Sequence, residues 1–380
     1  MPSSLPSRFD VVRIQFAVIT CFFVVGLSLG ALPLFISDEL GASDSIVGMV
    51  IGAQFLASLG SRVFVGRLLR SGARRCVAVS LGALALYGAL LALGGQAFEG
   101  TVPLLVAARI VQGVAVGTLI TAAIVWTIDK LGESSTARVL AMTGISIYGA
   151  VACGAPVGIV LFKLWGLAAA GGVAVVVALL ALAALATVTD EVRHGEQKAA
   201  GGKVFGKVLV PGAVLFLHGV GFVSIEAFVS LYFAASGWSM VTVALSLFGL
   251  SFVAVRLSLG HLLQGNRLQR LAALSLACQA LGLALLALAP NQYWALLFVA
   301  LVGGSCSLTF PALGTLAAGR CSPHERGTAM AFYAGFQDAS YALTGPVIGL
   351  VIQAHGYGTG FFAAGLCALG GLVLLRRARP

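Results

Sequence analysis

The sequence predicts an all-α membrane protein with twelve transmembrane helices in two six-helix bundles. Three observations carry that prediction. Charged residues are scarce for the length, twelve apolar runs are each long enough to cross a bilayer, and the basic residues gather on one side of the map those runs define. Of the 380 residues, 59% are hydrophobic and only 9% are charged, against roughly 25% charged in a soluble domain. So few charges cannot cover a surface in water, and most of the exterior must face lipid. The net charge of +10 could suit a nucleic acid, but the basic residues sit in short breaks between apolar runs. That is the distribution of membrane topology, and no nucleic-acid partner is expected.

A hydrocarbon core about 30 Å thick needs roughly 20 apolar residues per helix. Breaking the chain at charged and turn-like segments gives spans at 11–36, 45–66, 76–96, 102–128, 139–162, 166–188, 208–234, 240–262, 268–289, 292–318, 327–353 and 357–375. All should be helices, because an open strand in lipid leaves backbone groups unpaired. The first run is too long for a signal-peptide core and has no small-residue cleavage site after it, so it is expected to stay in the membrane. The seven cysteines are scattered and form no CxxC or zinc spacing, so no metal and no cofactor is expected.

Sorting the 23 Lys and Arg residues tests the map. With the N-terminus in the cytoplasm, nineteen fall inside, only Lys163 falls outside, and Arg62, Arg109 and Arg256 lie within spans. Cytoplasmic loops hold such an excess, so both termini are placed in the cytoplasm of a bacterial inner membrane. The longest polar segment, Thr189 to Lys207, follows span six. It divides the chain into an N-terminal bundle at 1–190, a flexible cytoplasmic linker at 191–207 and a C-terminal bundle at 208–380.

The two halves are related. SRVFVGRLLR at Ser61–Arg70 aligns with VRLSLGHLLQ at Val255–Gln264, pairing Arg62 with Arg256 and Gly66 with Gly260 at an offset of 194. GAPVG at Gly154–Gly158 aligns with TGPVIG at Thr344–Gly349, pairing Pro156 with Pro346 at an offset of 190. Internal repeats of this kind are typical of secondary transporters, in which one repeat rocks against the other.

At these motifs the chain resembles the major facilitator superfamily along its whole length. LVAARIVQGVAVG at Leu105–Gly117 looks like that superfamily's R-x-x-Q-G motif, with Arg109, Gln112 and Gly113 in place. GAVACGAPVG at Gly149–Gly158 resembles the Gly-Pro motif of its exporters. GRLLRSGARR at Gly66–Arg75 resembles its basic loop, but lacks the acidic residue and is about one residue short. With FPALG at Phe310–Gly314 and the TGP of span eleven, the likeness is greatest to the arabinose-efflux-permease-like branch of drug and metabolite exporters. The resemblance implies the major facilitator fold and a monomeric, proton-coupled exporter of a small organic solute working by alternating access. An importing symporter is the first alternative. A membrane sensor or membrane-embedded enzyme is the second, although no Walker loop, Rossmann fingerprint or HExxH is present. The G-x-S-x-G pattern at Gly26–Gly30 lies mid-span, without the strand–turn–helix setting a nucleophile needs.

A charge inside a span costs about 2.5–3.5 kcal/mol or more, which singles out Glu226 in span seven and Asp338 in span eleven as proton carriers or substrate contacts. His218, Phe222 and Glu226 recur every four residues and share a helical stripe. Asp338 shares a face with Tyr341, and Gln337 is adjacent. These groups are expected to face a central cavity, with Arg109 tuning a carboxylate and Gln112 one turn away. The alternative is that they only hydrogen-bond between helices. Arg62 and Arg256 can gate or snorkel to the interface. Gly113, Gly154 and Gly345 permit close helix approach, while Pro156 and Pro346 can bend their spans. Trp126, Tyr148, Phe222, Tyr333 and Phe336 are candidates to line a cavity for an organic solute.

Overall fold

The structure, a computed structural model, describes residues 8–69, 71–132, 135–186, 188, 202–263, 267–322 and 325–377. Among them every regular element is helical. The order is α1 (Arg8–Leu34), α2 (Asp44–Leu69), α3 (Ala73–Gly94), α4 (Thr101–Leu131), α5 (Thr136–Leu185), α6 (Gly202–Ala235), α7 (Val241–Leu259), α8 (Leu268–Ala287), α9 (Gln292–Gly319), α10 (Arg326–His355) and α11 (Tyr357–Arg377). A π-turn, Phe35–Glu39, follows α1, and a 3₁₀ turn, Gly260–Leu263, follows α7. Backbone polar groups have no water to bond in hydrocarbon, so the chain closes its hydrogen bonds within each segment.

Ten of the described helices are long and apolar enough to cross a membrane. One of them, α5, is 50 residues long and contains Gly166 at φ 75°, ψ 176°. At about 1.5 Å per residue it is far longer than one crossing needs, and that non-helical glycine divides it into the predicted fifth and sixth spans. The same geometry recurs 190 residues later, where Gly356 at φ 84°, ψ 168° separates α10 from α11. Both junctions need a residue without a Cβ. They keep the offset already seen between Pro156 and Pro346, so the duplication extends from sequence to backbone. The remaining span is α10, whose middle is interrupted by Gln337, Asp338, Ser340 and Tyr341. With α5 counted as two, the described helices fill all twelve predicted spans.

The chain divides into two compact units, Met1–Phe35 with Leu56–Gly195, and Ile36–Phe55 with Glu196–Pro380. The first part of α2 thus groups with the second unit, a feature absent from the boundaries expected at 190 and 208. Of the expected linker 191–207, residues 191–201 lie outside the described residues, and 202–207 form the start of α6.

In the first unit, α1 and α5 interlock backbone to backbone. A Cβ on Gly30 would meet the Ala155 carbonyl, and one on Gly154 would meet the Phe23 carbonyl. Gly26 and Gly158 make the same demand one turn away on each helix, so the predicted small-residue spacing is a helix-packing device. Asp10 on α1 and Lys130 on α4 pair at 2.9 Å. The second unit has a buried core that includes Val204, Val214, Leu276, Leu313, Tyr333 and Leu372.

Outside that core, Glu325, just before α10, accepts from the Ser322 amide at 2.9 Å and from Lys207 Nζ at 2.7 Å. The Lys207 ammonium holds the Glu325 carboxyl down to about 2, below the value of about 4.3 for an ordinary glutamate. A depressed pKa stabilises the fold above the unfolded value and loses that contribution as pH falls through the folded one. Glu325→Gln should therefore lower the thermal midpoint of the solubilised protein at pH 6. The gap from wild type should close between about pH 4.3 and pH 2; a gap independent of pH would show that the charge is not responsible.

Candidate functional site

The predicted site residues fall into polar clusters, one in the first unit and the others in the second. In the first unit Arg109 and Gln112, both fully buried, sit one turn apart on α4. Arg109 Nη1 donates to Gln112 Oε1 at 2.6 Å. Gln112 Nε2 reaches Ser28 Oγ on α1 at 3.4 Å, and Ser28 also bonds the Tyr87 hydroxyl on α3. Tyr87 in turn bonds Arg109. Because Ser28 Oγ donates to the Val24 carbonyl at 2.8 Å, it accepts from both Tyr87 and Gln112. The serine of the G-x-S-x-G pattern is thus a node in a ring of four polar side chains joining three helices.

Gly117, one turn after Gly113 on α4, is crowded by α2, since a Cβ there would meet Ser61 Oγ and Ser58 Oγ. Trp126, 1% exposed, keeps a buried indole N–H with no hydrogen-bond partner among the described residues. Arg62 is half-buried on α2.

In the second unit the predicted stripe exists on α6. His218, Phe222 and Glu226 are 3%, 3% and 6% exposed, and four residues further Ser230 Oγ is buried with no partner among the described residues. A buried polar atom left unpaired in a native fold calls for a water or a ligand. On α10, Asp338 is 8% exposed, and Gln337 Nε2 donates to the Tyr341 hydroxyl at 2.7 Å. The two helices meet through aromatic rings. Phe222 stacks on Tyr341 at 5.2 Å with 2° between planes, and Phe55 meets Tyr341 edge-on at 5.0 Å. Gly219 makes room for this approach, because a Cβ there would come within 2.5 Å of Ser340 Oγ.

Gln279 on α8 was not among the predicted residues, yet it is fully buried and holds His218. Its Oε1 lies 2.7 Å from His218 Nδ1, and its Nε2 donates to the His218 carbonyl at 3.0 Å. The same nitrogen lies 3.5 Å from Cys306 Sγ on α9. The available signal was an uncharged amide in the middle of span nine.

The remaining candidates organise helices. Pro311 lies inside α9 and has no N–H to offer the Ser307 carbonyl one turn before it. Arg256 on α7 supplies the missing donor, with Nη2 on that carbonyl and Nε 3.3 Å from Ser307 Oγ. Nearby, Tyr333 on α10 donates its hydroxyl to the Phe310 carbonyl at 2.7 Å and covers Gly314. The FPALG segment is therefore a proline site braced from two sides. Phe336 stacks on Phe205 and fills the space over Gly212. Gly345 and Gly349 on α10 face Gly48 and Asp44 on the first part of α2, where a Cβ would meet backbone. Pro156 and Pro346 both lie inside their helices.

The family model described as Major Facilitator Superfamily matches residues 14–345 and 266–380. The chain belongs to the major facilitator superfamily. It is 37% identical over 379 residues to an uncharacterized MFS-type transporter of Burkholderia mallei (strain SAVP1), covering 98% of this chain and 92% of that one. Among solved structures it is similar to the nucleoside transporter NupG, with a TM-score of 0.78, 13% identity and coverage of 97% and 99%. It is equally similar to a D-xylose-proton symporter, with a TM-score of 0.78, 14% identity and coverage of 98% and 97%. At those identities the structures establish the fold alone. This facilitator is thus a multi-pass membrane protein and a secondary transporter. The family and the names of its relatives indicate a carrier of small molecules rather than an enzyme.

Proposed function

We propose that this transporter is a proton-coupled exporter of a small organic solute in the bacterial inner membrane, acting as a monomer with both termini in the cytoplasm. The observation that supports it most is a pair of buried acids, Glu226 at 6% and Asp338 at 8% exposure, on membrane-crossing helices of one unit. An acid kept inside a span at a cost of about 2.5–3.5 kcal/mol marks an ion or substrate path. A carboxyl group placed there can load and release a proton as access alternates. The Ser230 hydroxyl on the Glu226 stripe, unpaired among the described residues, and the stacked Phe222–Tyr341 pair suit a solute with both polar and aromatic or sugar-like faces.

Export rests on the Gly-Pro segment at Gly149–Gly158, which also supports membership of the arabinose-efflux-permease-like branch. Arg109 and Gln112 enter as the polar ring that sets the packing and local field of the first unit, and Arg256 as the brace beside Pro311 of α9.

Inverted membrane vesicles with an acid-inside gradient, read with a pH-sensitive dye, test the proposal against a panel of sugars, amino-acid derivatives and amphiphilic drugs. At least one solute should collapse the gradient as it enters. A solute that moves only together with protons, in the same direction, would make the protein an importer. No flux of any panel member would remove the proposal.

A further inference from the structure

We infer that Gln279 fixes His218 in the Nδ1–H tautomer, leaving Nε2 as an acceptor subsite for a hydroxyl or protonated-amine group of the transported solute. This deepens the proposed function and rests on its assignment of the α6 stripe to the solute path. The argument is one of donors and acceptors. A side-chain amide offers one donor nitrogen and one acceptor oxygen. Gln279 has its nitrogen 3.0 Å from the His218 carbonyl, which can only accept. The Cys306 sulfur, 3.5 Å from the same nitrogen, is again a weak acceptor. A flipped amide would set its oxygen against that carbonyl, so the orientation is fixed by chemistry.

The amide oxygen is then the atom 2.7 Å from His218 Nδ1. Two acceptors cannot share so short a contact, so Nδ1 carries the hydrogen. In the neutral ring the other nitrogen, Nε2, must hold the lone pair.

The fold makes a place for this clamp. Gly221 leaves a notch in α6 one turn below the histidine, where a Cβ would stand 2.6 Å from Gln279 Nε2 and 2.7 Å from Leu283 Cδ1. One amide thus grips both the backbone and the ring of His218, and in hydrocarbon no water competes for either bond. Its grip covers the Nδ1 edge of the ring. A solute donor group can pair with Nε2, whereas a solute offering only acceptors there would face the lone pair and lose affinity.

The test uses the full-length protein labelled with ¹⁵N-histidine in lipid nanodiscs, with His218 assigned among the five histidines by loss of its signal in His218→Asn. Wild type should show a protonated Nδ1 and an unprotonated Nε2. Gln279→Leu removes the clamp, and Gly221→Ala displaces it while keeping the glutamine; both should shift the ring towards the Nε2–H tautomer. A wild-type ring already protonated at Nε2, or a tautomer unchanged in both variants, would overturn the inference.

The vesicle assay adds a second reading. For a carried solute with hydroxyl or amine donors, Gln279→Leu should raise KM about three- to tenfold with kcat retained, the worth of one neutral hydrogen bond. A changed tautomer with unchanged KM would refute the subsite while leaving transport intact. Failure of the transport proposal would instead show as no flux in wild type, with the resonance pattern still deciding the tautomer.

Discussion

Asp338→Asn is expected to reduce pH-gradient-driven flux to the level of protein-free vesicles while the protein remains inserted and folded. The two side chains have nearly the same shape, and the amide can keep hydrogen bonds the acid makes in its protonated form. What it cannot do is lose and regain a proton. Removing an ionisable group from a span also relieves the burial cost of about 2.5–3.5 kcal/mol, so the variant should be at least as stable as wild type. The informative control is solute exchange at equal pH on both sides of the membrane. Exchange that survives while uphill movement fails assigns Asp338 to proton coupling. Loss of both places it in solute contact, and wild-type flux against a gradient would remove it from the mechanism. The same pair of assays on Glu226→Gln separates the roles of the two acids.

Gly30→Ala should destabilise the first unit by about 1–3 kcal/mol or more, the range for overpacking a filled site. The added methyl would collide with the Ala155 carbonyl, a backbone atom held in the helical ladder of α5, with further α5 backbone atoms close behind. No rotamer change can relieve such a clash, so the helices must separate and loosen the contacts of Gly26, Gly154 and Gly158 as well. Gly82→Ala is the matched control. It lies within α3, and a Cβ there meets nothing within 4 Å, so it should be neutral or gain about 0.5–1 kcal/mol from reduced backbone freedom. Thermal unfolding of the detergent-solubilised variants measures both. Equal midpoints would show that the α1–α5 glycines are incidental to packing.

How much of this could be read from the chain depended on the physical scale of each signal. The helices were legible because a bilayer imposes one length and one polarity on every span. The duplication was legible at Arg62 and Arg256, and at Pro156 and Pro346. Its further expression, Gly166 and Gly356 at the same offset with the same backbone geometry, lay in φ and ψ. The stripe His218, Phe222 and Glu226 followed from helical periodicity. Its extension to Ser230 did not, because a serine on an apolar helix normally bonds its own backbone, as Ser224 does to the Val220 carbonyl at 2.7 Å. Gln279 carries no charge to mark it in a span and acts through direction: an amide that is donor at one end and acceptor at the other. Arg109 was legible as a charge inside span four, but its partners were not: its bonds to Gln112 on its own helix and to Tyr87 on α3 belong to a ring that Ser28 extends to α1.

The proline inside α9 governs how substitutions around it combine. A proline normally leaves its helix with one broken rung, which water or a flexible neighbour must mend. Here the mending group is the guanidinium of another helix, so Arg256 and Pro311 behave as two halves of a single joint. An amide restored at 311 would compete with the guanidinium for the Ser307 carbonyl, and a shorter side chain at 256 would leave that carbonyl without its donor. Either change alone should cost stability, whereas the two together should restore an ordinary helical rung, which couples Arg256 to Ser307 and Pro311, 51 and 55 positions further along the chain.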